Sequence, residues 1–305
     1  MNGLYQGLKE GQVNGNYQGL DGGLTVGMFE NDAINYDEDA RLFITCANLS
    51  NNTQKIAINN LVKGLKAGNL WSKFKAIYPI VGANYLSHGI NLKDPTIEPQ
   101  PADLVGTSSK HARFYPTPPE TYFSGQWRHN ENGAKSIGTL GQAWGYPFFK
   151  PNDFPQNDVH VSYYSRTDTL IAGLDMGQTD ANYFAFFIRY TGNQFLGVLN
   201  GASFASFSNT SGTGFYILSR TASNVFKVYK NHELKANTSI ISTTPETQQM
   251  YINGAYRASS GTLPILPTDR EFCFISLGYG LNDEQAKYFN QIVQQFQITL
   301  GRQKL

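Results

Sequence analysis

The apolar and polar positions divide the chain into stretches of different period. From about residue 120 short runs dominate: VHVSYY at 159–164, YFAFFIR at 183–189, QFLGVLN from Gln194, GFYILSR at 214–220, VFKVYK at 225–230, MYINGAY at 250–256 and EFCFISL at 271–277. They are aromatic or β-branched and separated by Gly, Asn, Ser and Thr, which predicts an antiparallel sandwich or barrel. Ile252-Asn253-Gly254-Ala255 holds the Asn-Gly pair favoured in two-residue hairpin turns. Asn231-His232 is read as the turn that folds VFKVYK back onto ELKA, with His232 tolerating a left-handed backbone.

Helical spacing appears three times. Asp37 can cap a short helix carrying Ala40, Phe43, Ile44 and Ala47 on one side. After an Asn-rich turn, residues 53–67 predict a second helix with the stripe Ile58, Leu61, Val62, Leu65, closed by Gly68. At the other end Asn282 and Gln285 form a capping-box pair ahead of Phe289, Ile292, Val293, Phe296 and Leu300, with Gly301 behind. Burying those five side chains stabilises by roughly 7–15 kcal/mol before entropy, enough to clamp the helix on the sandwich.

The first stretch has a period of its own. Glycine stands at Gly3, Gly7, Gly11, Gly15, Gly19, Gly23 and Gly27, and Asn2–Leu8 returns with one mismatch as Asn14–Leu20, so that Tyr5 recurs as Tyr17. A helix would lose roughly 1 kcal/mol at each interior glycine. In an extended chain an even spacing puts every glycine on one face, where another backbone can approach. The regular beat favours a docking arm over a floppy tail, since flexibility needs glycine but no period. The chain thus reads as a 1–36 arm, a 37–70 helical section and a 71–305 β-domain with its C-terminal helix. Six of the thirteen prolines fall within 95–119, which reads as an irregular excursion.

Composition narrows the chemistry. Only 15% of residues are charged, and Asn, Gln, Ser, Thr, Gly and Tyr supply the polarity. That surface suits glycans or proteins better than nucleic acid. The net charge of +1 conceals an acidic block over residues 1–40 and a basic block over 41–75 without an acid. The two blocks are read as neutralising each other locally. Cys46 and Cys273 are read as buried free thiols. No apolar run is long enough for a membrane helix, and the N-terminus shows no secretion-signal pattern.

Catalytic motifs do not appear: HExxH, GxSxG and the P-loop are absent, and the histidines at 88, 111, 129, 160 and 232 are scattered. No strand carries paired carboxylates at glycosidase spacing. Two weaker features remain. Asn152, Asp153, Asn157 and Asp158 in PNDFPQND could offer oxygens to calcium, though such loops are commonly plain turns. Trp127, His129, Trp144 and Tyr146 lie in the loop-like FSGQWRHNENGAKSIGTLGQAWGYPFF. They could stack on a sugar, or the tryptophans could plug the sandwich end.

VFKVYKNHEL resembles the strand-turn-strand of concanavalin A-like, laminin G-type sandwiches, with His232 where glycine is usual. ISLGYGLNDEQAKYFNQIVQQFQITLGRQ is similar to the closing helix of a group of virion proteins from tailed phages, many infecting Bacteroidetes. NLWSKFKAIYPIVG, HGINLKDP, FSGQWRH and DVHVSYYSRT resemble stretches of the same group, and the Gly-Leu-Tyr-rich front end is familiar there. The likeness spans most of 37–305; the Pro-rich 95–119 stretch departs from it. It implies an all-β antiparallel jelly-roll and a virion structural role as appendage, fibre or decoration subunit. The arm would dock on other virion proteins in an oligomer or larger assembly, and the sandwich would be displayed outward, with host surface glycan as a possible contact. Assembly would take place in the host cytoplasm. The group carries over no catalytic residues. A carbohydrate-binding adhesin is the alternative; a polysaccharide-degrading enzyme is the least favoured reading.

Overall fold

In the computed structural model of the chain, residues 35–96, 112–114, 126–137, 145–147, 149–254 and 266–304 are described. The arm glycines, Tyr5, Tyr17 and Trp144 lie outside them, as does most of the proline-rich stretch. Within that stretch, Arg113–Phe114 forms a two-residue strand, β2, where no regular element was expected.

Two antiparallel sheets make the sandwich. One contains β1 (Phe74–Tyr78), β3 (Gln126–Asn130), β4 (Gly133–Ile137), β6 (Val159–Ser165), β11 (Gly214–Ala222), β12 (Val225–Lys230), β13 (Glu233–Thr238) and β15 (Phe272–Gly278). Its order is β13-β12-β11-β6-β15-β4-β3, with β1 also on β15. The other contains β2, β5 (Gly145–Tyr146), β7 (Met176–Gln178), β8 (Tyr183–Tyr190), β9 (Gln194–Gly201), β10 (Ala205–Ser208) and β14 (Tyr251–Ile252). It runs β10-β9-β8-β7-β14-β5-β2.

Strand alternation sorts the side chains into layers. Val159, Val161, Tyr163, Tyr216 and Leu218 from the first sheet meet Phe184, Phe186, Ile188 and Phe195 from the second in the main core. The opposite face of the first sheet presents Tyr164, Phe215, Ile217 and Phe274 to three helices: α1 (Glu38–Cys46), α2 (Asn52–Ala67) and α4 (Asp283–Thr299). The central strands of that sheet are therefore buried on both faces, which explains why VHVSYYS is buried at every position.

The helices form for the local reasons read in the sequence. Asp37 caps α1 by accepting the Asp39 N–H at 3.0 Å. Asn282 and Gln285 exchange the two capping-box bonds at 2.9 and 3.0 Å. Phe289, Val293 and Phe296 are buried, Ile292 and Leu300 lie at the rim, and Gly301 closes the helix at φ +66°. Lys66 bridges Asp37 and Asp39 at 2.6 Å each, so the basic block neutralises at least the end of the acidic one.

Several expectations are corrected. Gly68 does cap α2, but at φ −83°; the left-handed residue behind it is Asn69 at +54°. Tyr288 packs over Gly68: a Cβ there would sit 1.9 Å from the Tyr288 ring, so the ring would have to move. In the β12–β13 turn Asn231 takes the left-handed conformation at +55°, whereas His232 keeps negative φ. Among the described residues of MYINGAY, Tyr251–Ile252 forms the two-residue β14, paired to β5 and β7. Asn253, at φ +58°, is a buried junction. It accepts from Tyr163 Oη at 3.0 Å and donates to Arg270 O at 3.0 Å. Cys273 is buried as a free thiol, but Cys46 is half-buried.

Candidate functional site

Trp127 and His129 do not lie on a loop. They belong to β3, half of the β3–β4 hairpin at the edge of the first sheet. Alternation turns both inward: Trp127 meets Phe272 edge-on at 6.0 Å and is half-buried against the main core. His129 Nδ1 lies 2.9 Å from Nδ1 of His88. His88 is fully buried on α3 (Tyr85–Gly89). Burial, then His129, then Arg302 hold His88 well below the usual histidine range. Burial lowers His129 to about 4. At neutral pH the two rings form a neutral donor–acceptor pair, which wedges the hairpin onto α3. Trp127 thus packs one side against the main core and remains half-exposed. Tyr146 is in β5, opposite Arg113.

Three of the four side chains considered for calcium, Asp153, Asn157 and Asp158, accept hydrogen bonds within the protein. Asp153 accepts the Lys150 N–H at 2.7 Å, Asp158 accepts the Gly280 N–H at 2.7 Å, and Asn157 accepts from Ser242. Among the described residues no three His, Cys, Asp or Glu side chains converge as a metal site. The only fully buried carboxylate among them, Asp175, is closed by Arg270 Nε and the Ile188 N–H, both at 2.6 Å.

The surface that the sequence reading missed is the far face of the second sheet. There Leu174, Ala185, Phe187 and Val198 form a floor, with Tyr183, Tyr190, Leu196 and Phe204 half-buried around it. Four rings run in a continuous chain: Tyr183–Phe204 at 5.2 Å, Phe204–Phe187 at 6.0 Å and Phe187–Tyr190 at 5.1 Å. Three come from β8: Tyr183 and Phe187 by alternation, and Tyr190 beyond a break in the β8–β9 register; Phe204 folds in from the loop between β9 and β10. At one end the Asn182 N–H donates to Glu246 Oε1 at 3.0 Å. At the other Arg189 Nη1 meets Asp168 at 2.7 Å. Amides and carboxylates thus flank an aromatic strip. The period-two placement of Tyr183, Ala185 and Phe187 was legible in YFAFFIR, but which sheet face the described helices leave uncovered was not.

No family model matches the sequence, and none of the curated proteins matches it. Among solved structures, a trans-sialidase-active mutant of Trypanosoma rangeli sialidase is similar at a TM-score of 0.47 and 10% identity, over 77% of this chain and 39% of that one. The botulinum neurotoxin serotype D binding domain gives 0.48 and 10%, over 72% and 52%. Domain 4 of an arabinanase from Geobacillus stearothermophilus, solved with arabinotriose, gives 0.44 and 13%, over 72% and 98%. The chain spans 39% of the sialidase and 52% of the toxin domain.

Proposed function

We propose that the chain is a non-catalytic display module, a virion structural subunit whose sandwich contacts glycan through the far face of its second sheet. The observation that carries the binding reading is the ring chain Tyr183–Phe204–Phe187–Tyr190, in which three half-buried rings surround the buried Phe187. A half-buried ring held by neighbouring rings loses little freedom on binding and offers its apolar face to a sugar C–H surface. Flanking amides and carboxylates accept and donate to hydroxyls. The virion setting rests on the resemblance of the closing helix and the other quoted segments to phage virion proteins. Docking through the arm and membership of a larger assembly belong to the same proposal.

The experiment is a glycan array probed with the full chain, alongside Tyr183→Ala and Phe204→Ala. Each ring is expected to contribute roughly 0.5–1.5 kcal/mol, so each variant should weaken a retained sugar up to about tenfold. Wild-type protein that retains no glycan, or variants that bind as wild type does, would refute the strip. The virion setting is tested by mass spectrometry of gradient-purified particles, where near-stoichiometric presence is expected. Protein found only free in the lysate would refute it.

A further inference from the structure

We propose that one internal water is held at the corner where β9 ends, bound by Arg220 Nη2, Asn200 Oδ1 and Thr243 Oγ1. All three atoms are buried and have no hydrogen-bond partner among the described residues. Arg220 is wholly buried on β11. Its Nε donates to Leu199 O at 2.8 Å, and its Nη1 donates to Ser223 O at 2.8 Å and Ile240 O at 2.9 Å. The guanidinium lies 5.3 Å from the Phe226 ring centroid. Among the described ion pairs no carboxylate neutralises it. Nη2 is the part of the fork left over.

The backbone brings residues 200 and 243 to the same corner. Thr243 N–H donates to Asn200 O at 2.8 Å, and Gly201 bridges to Ser242. A Cβ on Gly201 would lie 3.7 Å from Arg220 Nη2. Asn200 Nδ2 donates to Gln156 O at 3.1 Å, which fixes the amide so that Oδ1 points the other way.

These groups select the ligand. Nη2 can only donate, Oδ1 can only accept, and a threonine hydroxyl can do either. An anion would meet the lone pairs of Oδ1; a cation would meet the guanidinium. A neutral molecule of one heavy atom that both donates and accepts satisfies all three, and internal waters commonly make two to four such bonds. Leaving three polar atoms buried and unpaired would be costly. Asn200-Gly201 also opens the loop that ends in Phe204, so the water pins the base of the loop that delivers one ring to the strip. That consequence rests on the proposed glycan site; the water site does not.

The test is a crystal structure of the full chain, with a second crystal soaked in bromide and no sugar in either. The expected result is a solvent peak within hydrogen-bonding distance of all three atoms, without anomalous bromide signal. A bromide peak would make this an anion site and overturn the proposal. So would an empty corner, or direct bonds among the three side chains. In Thr243→Val, close to threonine in shape, the peak should be lost or sharply weakened; a peak at full strength would overturn the three-partner cage. Because no sugar is present, failure of the glycan reading would leave this result standing.

Discussion

His88 and His129 touch Nδ1 to Nδ1 at 2.9 Å, and through that contact a one-turn helix holds the edge hairpin of the first sheet. The hairpin needs the help. Its ladder to β15 is a single residue pair, Ala134 with Phe272. Other ties are Ser136 Oγ to Thr268 O at 2.7 Å and Arg302 to Glu131 O at 3.3 Å.

That contact makes acid sensitivity predictable. In the unfolded chain each histidine takes up its proton near pH 6.5. Folded, burial lowers His129 to about 4, holds His88 well below its usual range, and lowers His160 to about 4. Between those values the unfolded chain binds more protons, so the stabilisation is complete above about pH 6.5 and is lost as pH falls toward 4. Each such histidine contributes a slope of up to about 1.4 kcal/mol per pH unit. Urea unfolding at pH 7 and pH 5 should show the loss, and His129→Asn should flatten it. Equal midpoints at the two pH values would contradict this account.

Gly68 and Tyr288 should behave as a coupled pair. A methyl on Gly68 would overlap the Tyr288 ring, yet Tyr288 is 37% exposed and can swing outward. Gly68→Ala is therefore expected to cost about 1–2 kcal/mol rather than unfold the helix layer. With Tyr288→Ala present, the same change should become neutral or slightly stabilising, because alanine suits a helix end at negative φ. A double-mutant cycle measures the coupling, and additive effects would disprove it.

Arg302 is the tie between the C-terminal tail and the sheet. Fully buried, it donates to Gln297 Oε1 at 2.6 Å and to the carbonyls of Ile80 and Pro79 at 2.7 Å and of Cys273 at 3.0 Å. Burial lowers it to about 10, so it stays charged at neutral pH. Arg302→Met strands those acceptors and is expected to cost about 3–5 kcal/mol. Arg302→Lys should recover only a small part, since an ammonium cannot span the fork. Thermal melts would show the order; a lysine variant as stable as wild type would refute the clamp.

Asn231 combines a backbone role with a side-chain role. Its φ is +55°, and its Oδ1 accepts the Phe215 N–H at 2.9 Å. Asn231→Gly keeps the turn and loses the bond, for about 1 kcal/mol. Asn231→Ala adds left-handed strain and should cost about 2 kcal/mol. His232→Gly is expected to be near neutral, which chemical denaturation can check against both.

Much of this was readable from residue patterns because those features are local. The caps at Asp37 and Asn282, the stripe of α4 and the strand runs from Val159 to Leu277 depend on neighbours within a few positions. What was misread depended on distant partners. Trp127 and His129 looked like loop residues because GlnTrpArgHisAsn has no clean alternation; Phe272 and His88 turn them inward. Asn253-Gly254 had the composition of a hairpin; that Tyr163 and Arg270 use Asn253 as a junction was not legible in it.

By itself the sequence determined that this chain forms short aromatic strands, two capped helices on one side of them and a third at the end, since turn chemistry, capping and period act over a few residues. Only the tertiary structure decided which faces those elements would share. It buried the central strands of the first sheet on both sides and left Tyr183, Phe187, Tyr190 and Phe204 as a ring chain on the far face of the second. Alternation says that two faces exist; only packing of residues far apart in sequence says which one is covered.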